Sequence, residues 1–316
     1  MPNSLNPNTA QGSASPGNRI FIAGGSGLVG QRLSELLTEA GYQVMHLSRR
    51  ANIHSRYPVY EWDPEKGTID ERALLQADAI INLAGAGVAD KRWTETRKAE
   101  ILSSRVNGAK TIAKYLSTGK YPVKTYLSAS ANGYYGDQGD RWCTEETQAG
   151  IGFLAEVCTQ WEAAAASVAA TEVRTVCLRI GIVFSSKGGA LQQLLQTLRL
   201  GVSPYFGGGN QYWSWIDIDD LCGMFRFALE HKDLEGVFNA NAPEPATSYN
   251  IATALKHVSK GFSVALPAPS FVLSLALGRM STALTDSTRC SSDKIRKAGY
   301  VFQYEDLEAV LKRYAV

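Results

Sequence analysis

A glycine series at the end of a short apolar run constrains the fold of this chain more than any other feature. Arg19–Ala23 (RIFIA) predicts a buried strand, and Gly24, Gly27 and Gly30 then lead into a helical pattern that is apolar on one face. At such a junction glycine permits a tight turn, lets the backbone approach a ligand without a Cβ atom, and lets helix and strand pack closely. The spacing therefore predicts a strand–turn–helix unit near the start of the chain.

The same unit predicts a phosphate site, because the free amides and the positive dipole of a helix N-terminus attract anions. A purely structural turn is the alternative, but the position between an apolar strand and an amphipathic helix favours a dinucleotide. The predicted cofactor cradle comprises Gly24, Ser26, Gly27, Leu28, Val29 and Gly30.

The residues after the second predicted strand, Gln43–Leu47, indicate which dinucleotide is bound. An acidic residue at this place binds the ribose hydroxyls of NAD, whereas cationic side chains accommodate the 2′-phosphate of NADP. Here the chain has Ser48, Arg49 and Arg50 and no acid. Arg49 can form a bidentate bond with phosphate, and Ser48 can donate a hydroxyl. A solvated basic turn is the alternative, but the position favours NADP(H).

Strands and helices alternate along the chain up to about residue 185, which predicts βαβ units and a parallel sheet with helices on both faces. Glycine and proline interrupt this rhythm in the remainder. The sequence therefore predicts an α/β fold, a Rossmann-like doubly wound parallel sheet with a smaller C-terminal mixed α/β lobe. The NADP-binding domain is expected at 19–185, with a return segment near 211–241, and the substrate-side lobe mainly at 186–316.

Composition excludes several classes of protein. A net charge of +2 predicts neither nucleic acid nor a membrane surface as a partner, and no apolar stretch approaches the length of a membrane span. Five scattered cysteines without a CxxC pair, and four histidines without ligand spacing, predict reduced thiols and no metal. Residues 1–18 are polar and lack a signal pattern, which predicts a disordered tail and a cytoplasmic location.

Eight stretches together carry a resemblance to one family. They are GGSGLVG (24–30), INLAGAGVADKRW (81–93), SRVNGAKT (104–111), SASANGYYGDQGD (128–140), WEAAA (161–165), LRIGIVFSSKGGAL (178–191), GGGNQYWSWIDIDDL (207–221) and SSDKIRKAGYVFQYEDLEAVL (291–311). From Arg19 onward the chain resembles the extended short-chain dehydrogenase/reductases, in the NAD-dependent epimerase/dehydratase-like branch and its atypical YfcH-like subgroup. The last stretch is similar to the small domain that ends proteins of this subgroup.

The resemblance implies further cofactor contacts. They come from Leu83, Ala84, Gly85, Glu100, Arg105 and Val183. The first three follow a strand on the adenosine side of the cofactor. Arg105 would bind phosphate or ribose oxygens and Glu100 would orient a hydroxyl, both from one long helix. Val183, expected in the loop after a strand, would pack near the nicotinamide.

The catalytic pattern of the same family is missing here. Its enzymes use a serine or threonine with a YxxxK tyrosine and lysine, in which the tyrosine exchanges a proton and the lysine cation lowers its pKa. In this chain Phe153 and Leu154 stand in the tyrosine region, and Val157 and Cys158 stand in the lysine region. None of these four side chains can supply the proton or the fixed cation.

Two hydroxyl groups remain as catalytic candidates. Ser130 matches the expected hydroxyl position of the family, and Tyr134 lies a few residues later, where it can present a phenol near the nicotinamide. Tyr135 matches a structural tyrosine of the family and is expected to pack. Asp219 and Asp220 predict an N-cap pair for a later helix.

Two classes of function follow from these observations. The first is an NADP(H)-dependent oxidoreductase or epimerase-like enzyme acting on an unidentified small molecule. The second is a regulatory protein that senses NADP(H) without turnover, since some relatives carry a cell-division label that implies a protein partner. The intact cradle and the second lobe favour the first, whereas the missing tyrosine and lysine count against ordinary dehydrogenase or epimerase chemistry.

Overall fold

The computed structural model describes residues 18–50, 55–269, 271, 275 and 278–315. The predicted tail, residues 1–18, lies outside this part of the chain except for its last residue. The strands are β1 (Arg19–Ala23), β2 (Gln43–Ser48), β3 (Val59–Asp63), β4 (Thr68–Ile69), β5 (Ala79–Asn82), β6 (Thr125–Ala131), β7 (Trp142–Cys143), β8 (Arg174–Ile180), β9 (Ile182–Phe184), β10 (Val202–Phe206), β11 (Tyr212–Trp213), β12 (Trp215–Asp217), β13 (Gly236–Ala240), β14 (Ala246–Thr247), β15 (Val264–Ala268) and β16 (Arg289–Cys290). The helices are α1 (Leu28–Glu39), α2 (Glu71–Leu74), α3 (Glu95–Leu116), α4 (Phe153–Ala169), α5 (Gly189–Arg199), α6 (Ile218–Glu230), α7 (Ser248–Val258), α8 (Thr282–Thr285), α9 (Asp293–Lys297) and α10 (Leu307–Tyr314).

An eight-stranded sheet forms the centre of the molecule, in the order β13-β8-β6-β5-β1-β2-β3-β4. Its strands pair in parallel except for β4, which runs antiparallel to β3. Alternate residues of β1 enter different cores: Ile20 packs with helices α1 and α6, and Phe21 packs with α3 and α4. The sheet is therefore covered on both faces, which explains why its strands read as continuous apolar runs. The predicted doubly wound α/β class is confirmed.

The strand order places a crevice at the carboxyl end of β1. The chain passes from β1 to β2 on one side, whereas β5 and β6 lie on the other side. Loops that leave neighbouring strands in opposite directions separate at such a switch point, and ligands of open α/β sheets bind there. The glycine turn follows β1 directly and thus opens into this crevice.

A second core lies beyond the sheet, in the C-terminal part of the chain. It contains Phe184, Leu191, Trp215, Ile251 and Val310, all at most 1% exposed. The chain returns to the main sheet in between, because β13 pairs with β8. Within the described ranges, no helix is long and apolar enough to cross a membrane.

The start of α6 differs from the prediction that Asp219 and Asp220 form an N-cap pair. Asp217 is the N-cap, since its carboxylate accepts a bond from the Asp219 backbone N–H at 2.8 Å. Asp219 instead forms ion pairs with Arg32 and Arg313. Asp220 is buried and accepts bonds from three later residues. The cap prediction was wrong because spacing alone does not show where the strand before the helix ends.

Candidate functional site

The glycine turn leaves no room for side chains at its two ends. Gly24 has φ of 81°, and a Cβ atom on it would lie 2.9 Å from the backbone nitrogen of Ala84. A Cβ atom on Gly30 would lie 2.7 Å from the Gly25 Cα atom and closer still to the Gly24 carbonyl oxygen. The turn therefore holds β1, α1 and the chain after β5 in direct backbone contact.

Among the described residues, the backbone amides in the first turn of α1 have no hydrogen-bond acceptor. Gly27 is its N-cap and carries no side chain that could accept their bonds, and the first intrahelical bond runs from Gln31 to the Gly27 carbonyl. The amides of Leu28, Val29 and Gly30 are thus left for an external acceptor. A backbone cradle that a Cβ atom would fill, next to free amides, fits the phosphates of a dinucleotide.

Arg105 lies next to the same crevice as a cation without a carboxylate partner among the described residues. Its Nη1 donates to the carbonyls of Ala86 and Ile101 at 3.0 and 2.9 Å, and its guanidinium stacks 5.1 Å from the Trp161 ring centroid. A Cβ atom on Gly85 would lie 3.0 Å from Arg105 Cζ. Burial lowers the pKa of Arg105. A partly buried cation without a carboxylate partner among the described residues favours an anionic ligand, because buried charges are ordinarily paired.

Charged side chains lie just after β2 and in the first turns of α3. Arg49 is exposed just after β2, and Ser48 is partly buried at the end of that strand. Glu100 accepts a bond from Arg97 at 2.7 Å, and this bond lowers the pKa of Glu100, with Lys91 and Arg49 adding to the effect. Arg97 is thus the side chain that contacts Glu100 directly, and no spacing in the sequence pointed to Arg97.

Val183 lies in a strand rather than in the predicted loop. It belongs to β9 and pairs with Ile216 of β12. The expectation of a loop was wrong because β9 is only three residues long and pairs outside the main sheet. Val183 is partly buried at the carboxyl side of β8, the side on which the nicotinamide was expected.

The two catalytic candidates lie around one buried ion pair. Arg179 and Glu162 are 2.8 Å apart, with side-chain exposures of 4% and 12%. Ser130 donates from its Oγ atom to Glu162 at 2.6 Å, and the Tyr134 ring lies 3.4 Å from the Arg179 guanidinium carbon. Tyr135 is fully buried, where its hydroxyl bonds to Asn239 and Arg179, so its expected packing role agrees with its position.

The positions of the missing tyrosine and lysine are apolar in the folded chain. Leu154 packs against Gly133, where an added Cβ atom would be 3.1 Å from the Leu154 Cβ atom. Cys158 is 3% exposed, and burial raises the pKa of its thiol to about 12. The thiol is therefore neutral at physiological pH, and this part of the site supplies neither a cation nor a proton donor of suitable pKa.

His46 packs against the glycine turn, and its burial predicts that the fold is less stable at acidic pH. Its Nε2 lies 2.8 Å from the Ser34 hydroxyl, its ring fills the space that a Gly25 side chain would need, and burial lowers its pKa. In the unfolded chain His46 takes up a proton near pH 6.5, whereas in the folded chain it does so only at a lower pH. The free energy of unfolding therefore decreases as the pH falls from 6.5 through the folded-state pKa, by about 1.4 kcal/mol for each unit by which the two pKa values differ. We expect the melting temperature to fall less between pH 7.5 and 5 in His46→Gln than in the wild type. Equal losses in both proteins would contradict this role.

The fold and the site define a dinucleotide-binding protein of the Rossmann-like class. Two family descriptions match the sequence: the NAD dependent epimerase/dehydratase family over residues 20–251, and a domain of unknown function, DUF1731, over 268–314. This chain belongs to the NAD dependent epimerase/dehydratase family, as its sequence resemblance predicted.

Individual relatives match over nearly their whole length. The epimerase family protein YfhF of Bacillus subtilis is 33% identical, covering 93% of this chain and 97% of its own. Human epimerase family protein SDR39U1 is 31% identical over 93% and 98%. The crystal structure of human SDR39U1 (isoform 2) with NADPH superposes with a TM-score of 0.84 at 30% identity, covering 94% of this chain and 99% of that chain. UDP-N-acetylglucosamine 4-epimerase of Bacillus cereus, at 14% identity and a TM-score of 0.75, shares the fold.

Proposed function

We propose that this chain binds NADP(H) and uses it as an oxidoreductase on a small molecule. The glycine turn is the observation that carries the proposal, because its ends exclude side chains while its helix offers unpaired amides. The similar human protein that was crystallised with NADPH adds support. When bound, the reduced cofactor supplies a hydride at its nicotinamide ring.

The residues of the site divide between the two ends of the cofactor. Gly24–Gly30 would hold the pyrophosphate through backbone amides, with Arg105 as the buried cation beside it. Ser48 and Arg49 would hold the 2′-phosphate, with Glu100 as a neighbour that binds a hydroxyl. Val183 would pack near the nicotinamide.

Arg49→Ala is expected to weaken NADPH binding by about tenfold or more, which is the usual value of a hydrogen bond to a charged group. NADH lacks the 2′-phosphate, so its affinity should change less than about twofold. Fluorescence titration of both cofactors measures the difference, with Arg50→Ala as the neighbouring control. Equal losses for NADPH and NADH would refute the assignment of the 2′-phosphate site.

A regulatory protein that binds NADP(H) without turnover is the second candidate. The observation that favours it is the lack of a tyrosine and a lysine in the regions of Phe153 and Leu154 and of Val157 and Cys158, together with the bond from Ser130 to Glu162. Incubation of the NADPH-loaded protein with a panel of carbonyl compounds separates the two. Substrate-dependent oxidation that is lost in Ser130→Ala or Tyr134→Phe favours the enzyme, whereas binding without any oxidation favours the sensor.

A further inference from the structure

A cavity of about 290 Å³ lies between the start of α4 and the C-terminal segment 279–286. Leu154 forms part of its wall and also packs against Gly133, which follows β6. The carboxyl end of β6 faces the crevice where the dinucleotide is proposed to bind. The cavity therefore lies near the carboxyl end of β6, and its volume is close to the lower limit of small-molecule sites.

One side of the cavity is apolar and aromatic. The Trp93 and Phe153 rings meet edge to face with centroids 4.9 Å apart, and Ile151 and Leu154 extend this surface. The Trp93 indole N–H is already bonded to the Val88 carbonyl, so the rings offer the cavity apolar surface only. This wall fits the hydrocarbon or aromatic body of a small ligand.

The other side carries a carboxyl group without a partner. Within the described part of the chain, the Asp286 carboxyl accepts no hydrogen bond and forms no ion pair. Asp137 lies close by and is fixed in place, because its Oδ1 accepts bonds from the backbone N–H groups of Gly139 and Ser287 at 3.2 and 3.1 Å. Burial, and then the charge of Asp137, raise the pKa of Asp286 to about 6.

Two cations also line the cavity. The Nζ atom of Lys98 lies 3.0 Å from Glu95 and 5.6 Å from the Phe153 ring centroid, and Arg279 is exposed in the segment before α8. Neither lies within ion-pair distance of Asp286. The Asp286 carboxyl thus lines the cavity without a bonded partner among the described residues.

We infer that Asp286 is the residue that donates a proton to the ligand of this cavity, and that the ligand is a small carbonyl compound with an apolar body. The inference rests on the proposed oxidoreductase function. With reduced cofactor bound as the hydride source, a carbonyl carbon would gain the hydride, the C=O π bond would break, and the oxygen would take the Asp286 proton to form an alcohol. The cofactor would be left oxidised, and the Asp286 carboxylate would regain its proton from solvent.

Carbon-13 NMR titration of labelled aspartate carboxyls tests the inference without turnover, with the Asp286 signal identified by its loss in Asp286→Asn. We expect a pKa of about 6 for Asp286. Acetophenone, as the probe, should raise this value, because a carbonyl oxygen accepts a hydrogen bond only from the protonated carboxyl. A pKa in the ordinary range of aspartate, or one that acetophenone leaves unchanged, would overturn the inference.

Asp286→Asn provides the second measurement. NADPH oxidation in the presence of acetophenone should fall by about 100-fold or more, the usual contribution of a positioned acid, while the dissociation constant of NADPH stays within about twofold. Asp140→Asn, an exposed carboxyl of a nearby loop, is the matched control and should leave both unchanged. Oxidation that persists in Asp286→Asn would refute the role of Asp286. Failure of the wild type to bind NADPH would instead refute the proposed function and leave the titration result intact.

Discussion

Gly30→Ala is expected to weaken NADPH binding by roughly tenfold to 100-fold, equivalent to about 1.4–2.8 kcal/mol. The added Cβ atom would lie 2.7 Å from the Gly25 Cα atom and closer still to the Gly24 carbonyl, both of which belong to the backbone of the turn. Backbone atoms cannot move aside as a flexible side chain would, so α1 must shift away from β1. The helix amides then no longer converge on the phosphates. The same overpacking should cost about 1–3 kcal/mol of folding stability.

Gly261→Ala is the matched control for this variant, because a Cβ atom on Gly261 meets nothing within 4 Å. Titration with NADPH and chemical denaturation of both variants give the comparison. Near-normal affinity in Gly30→Ala would show that the turn does not hold the cofactor. A loss of similar size in Gly261→Ala would show that the effect is not specific to the turn.

Arg179→Met is expected to destabilise the fold by about 3–5 kcal/mol, the usual cost of removing one partner from a buried ion pair. The Arg179 guanidinium donates two bonds of 2.8 Å to Glu162 and one of 2.9 Å to the Tyr135 hydroxyl. Its loss leaves the Glu162 carboxylate mostly buried, with Ser130 as its one remaining donor among the described residues. The carboxylate must then either stay unpaired or take up a proton.

A double-mutant cycle in urea measures this prediction. Arg179→Met with Glu162→Leu removes both charges, so the double variant should be more stable than Arg179→Met alone. If Arg179→Met lowers the free energy of unfolding by less than about 1 kcal/mol, or if the losses of the two single variants add in the double variant, Arg179 and Glu162 do not stabilise each other as a buried ion pair.

The glycine turn and the alternation of strands and helices could be predicted from the sequence, because each appears as a pattern among residues close together in the chain. The apolar run Arg19–Ala23 predicts a buried strand, and the glycines after it are typical of a tight turn from a strand into a helix. The absence of the YxxxK pattern was equally visible, with Phe153 and Leu154 in the tyrosine region and Val157 and Cys158 in the lysine region of one helix. In these cases the prediction depends only on which residue types occur at fixed separations along the chain.

The remaining features depend on contacts between distant segments, which no local pattern records. Ser130 matches a catalytic serine in sequence, yet only the fold shows that it bonds to Glu162, 32 residues later. His46 is a second example, because its bond to Ser34 joins β2 to α1. Asp286 is a third, because the bond between Ser287 and Asp137 brings together segments 150 residues apart. The short strand that holds Val183 was missed because its partner, β12, follows it only after α5.

Titration calorimetry of the wild-type chain with NADPH and NADH tests the central claim most directly. The glycine turn and Arg49 predict that one NADPH binds per chain, with an affinity at least about tenfold higher than that of NADH. Equal affinities would contradict the 2′-phosphate site. The absence of heat and of binding for both cofactors would contradict the claim that this turn holds a dinucleotide.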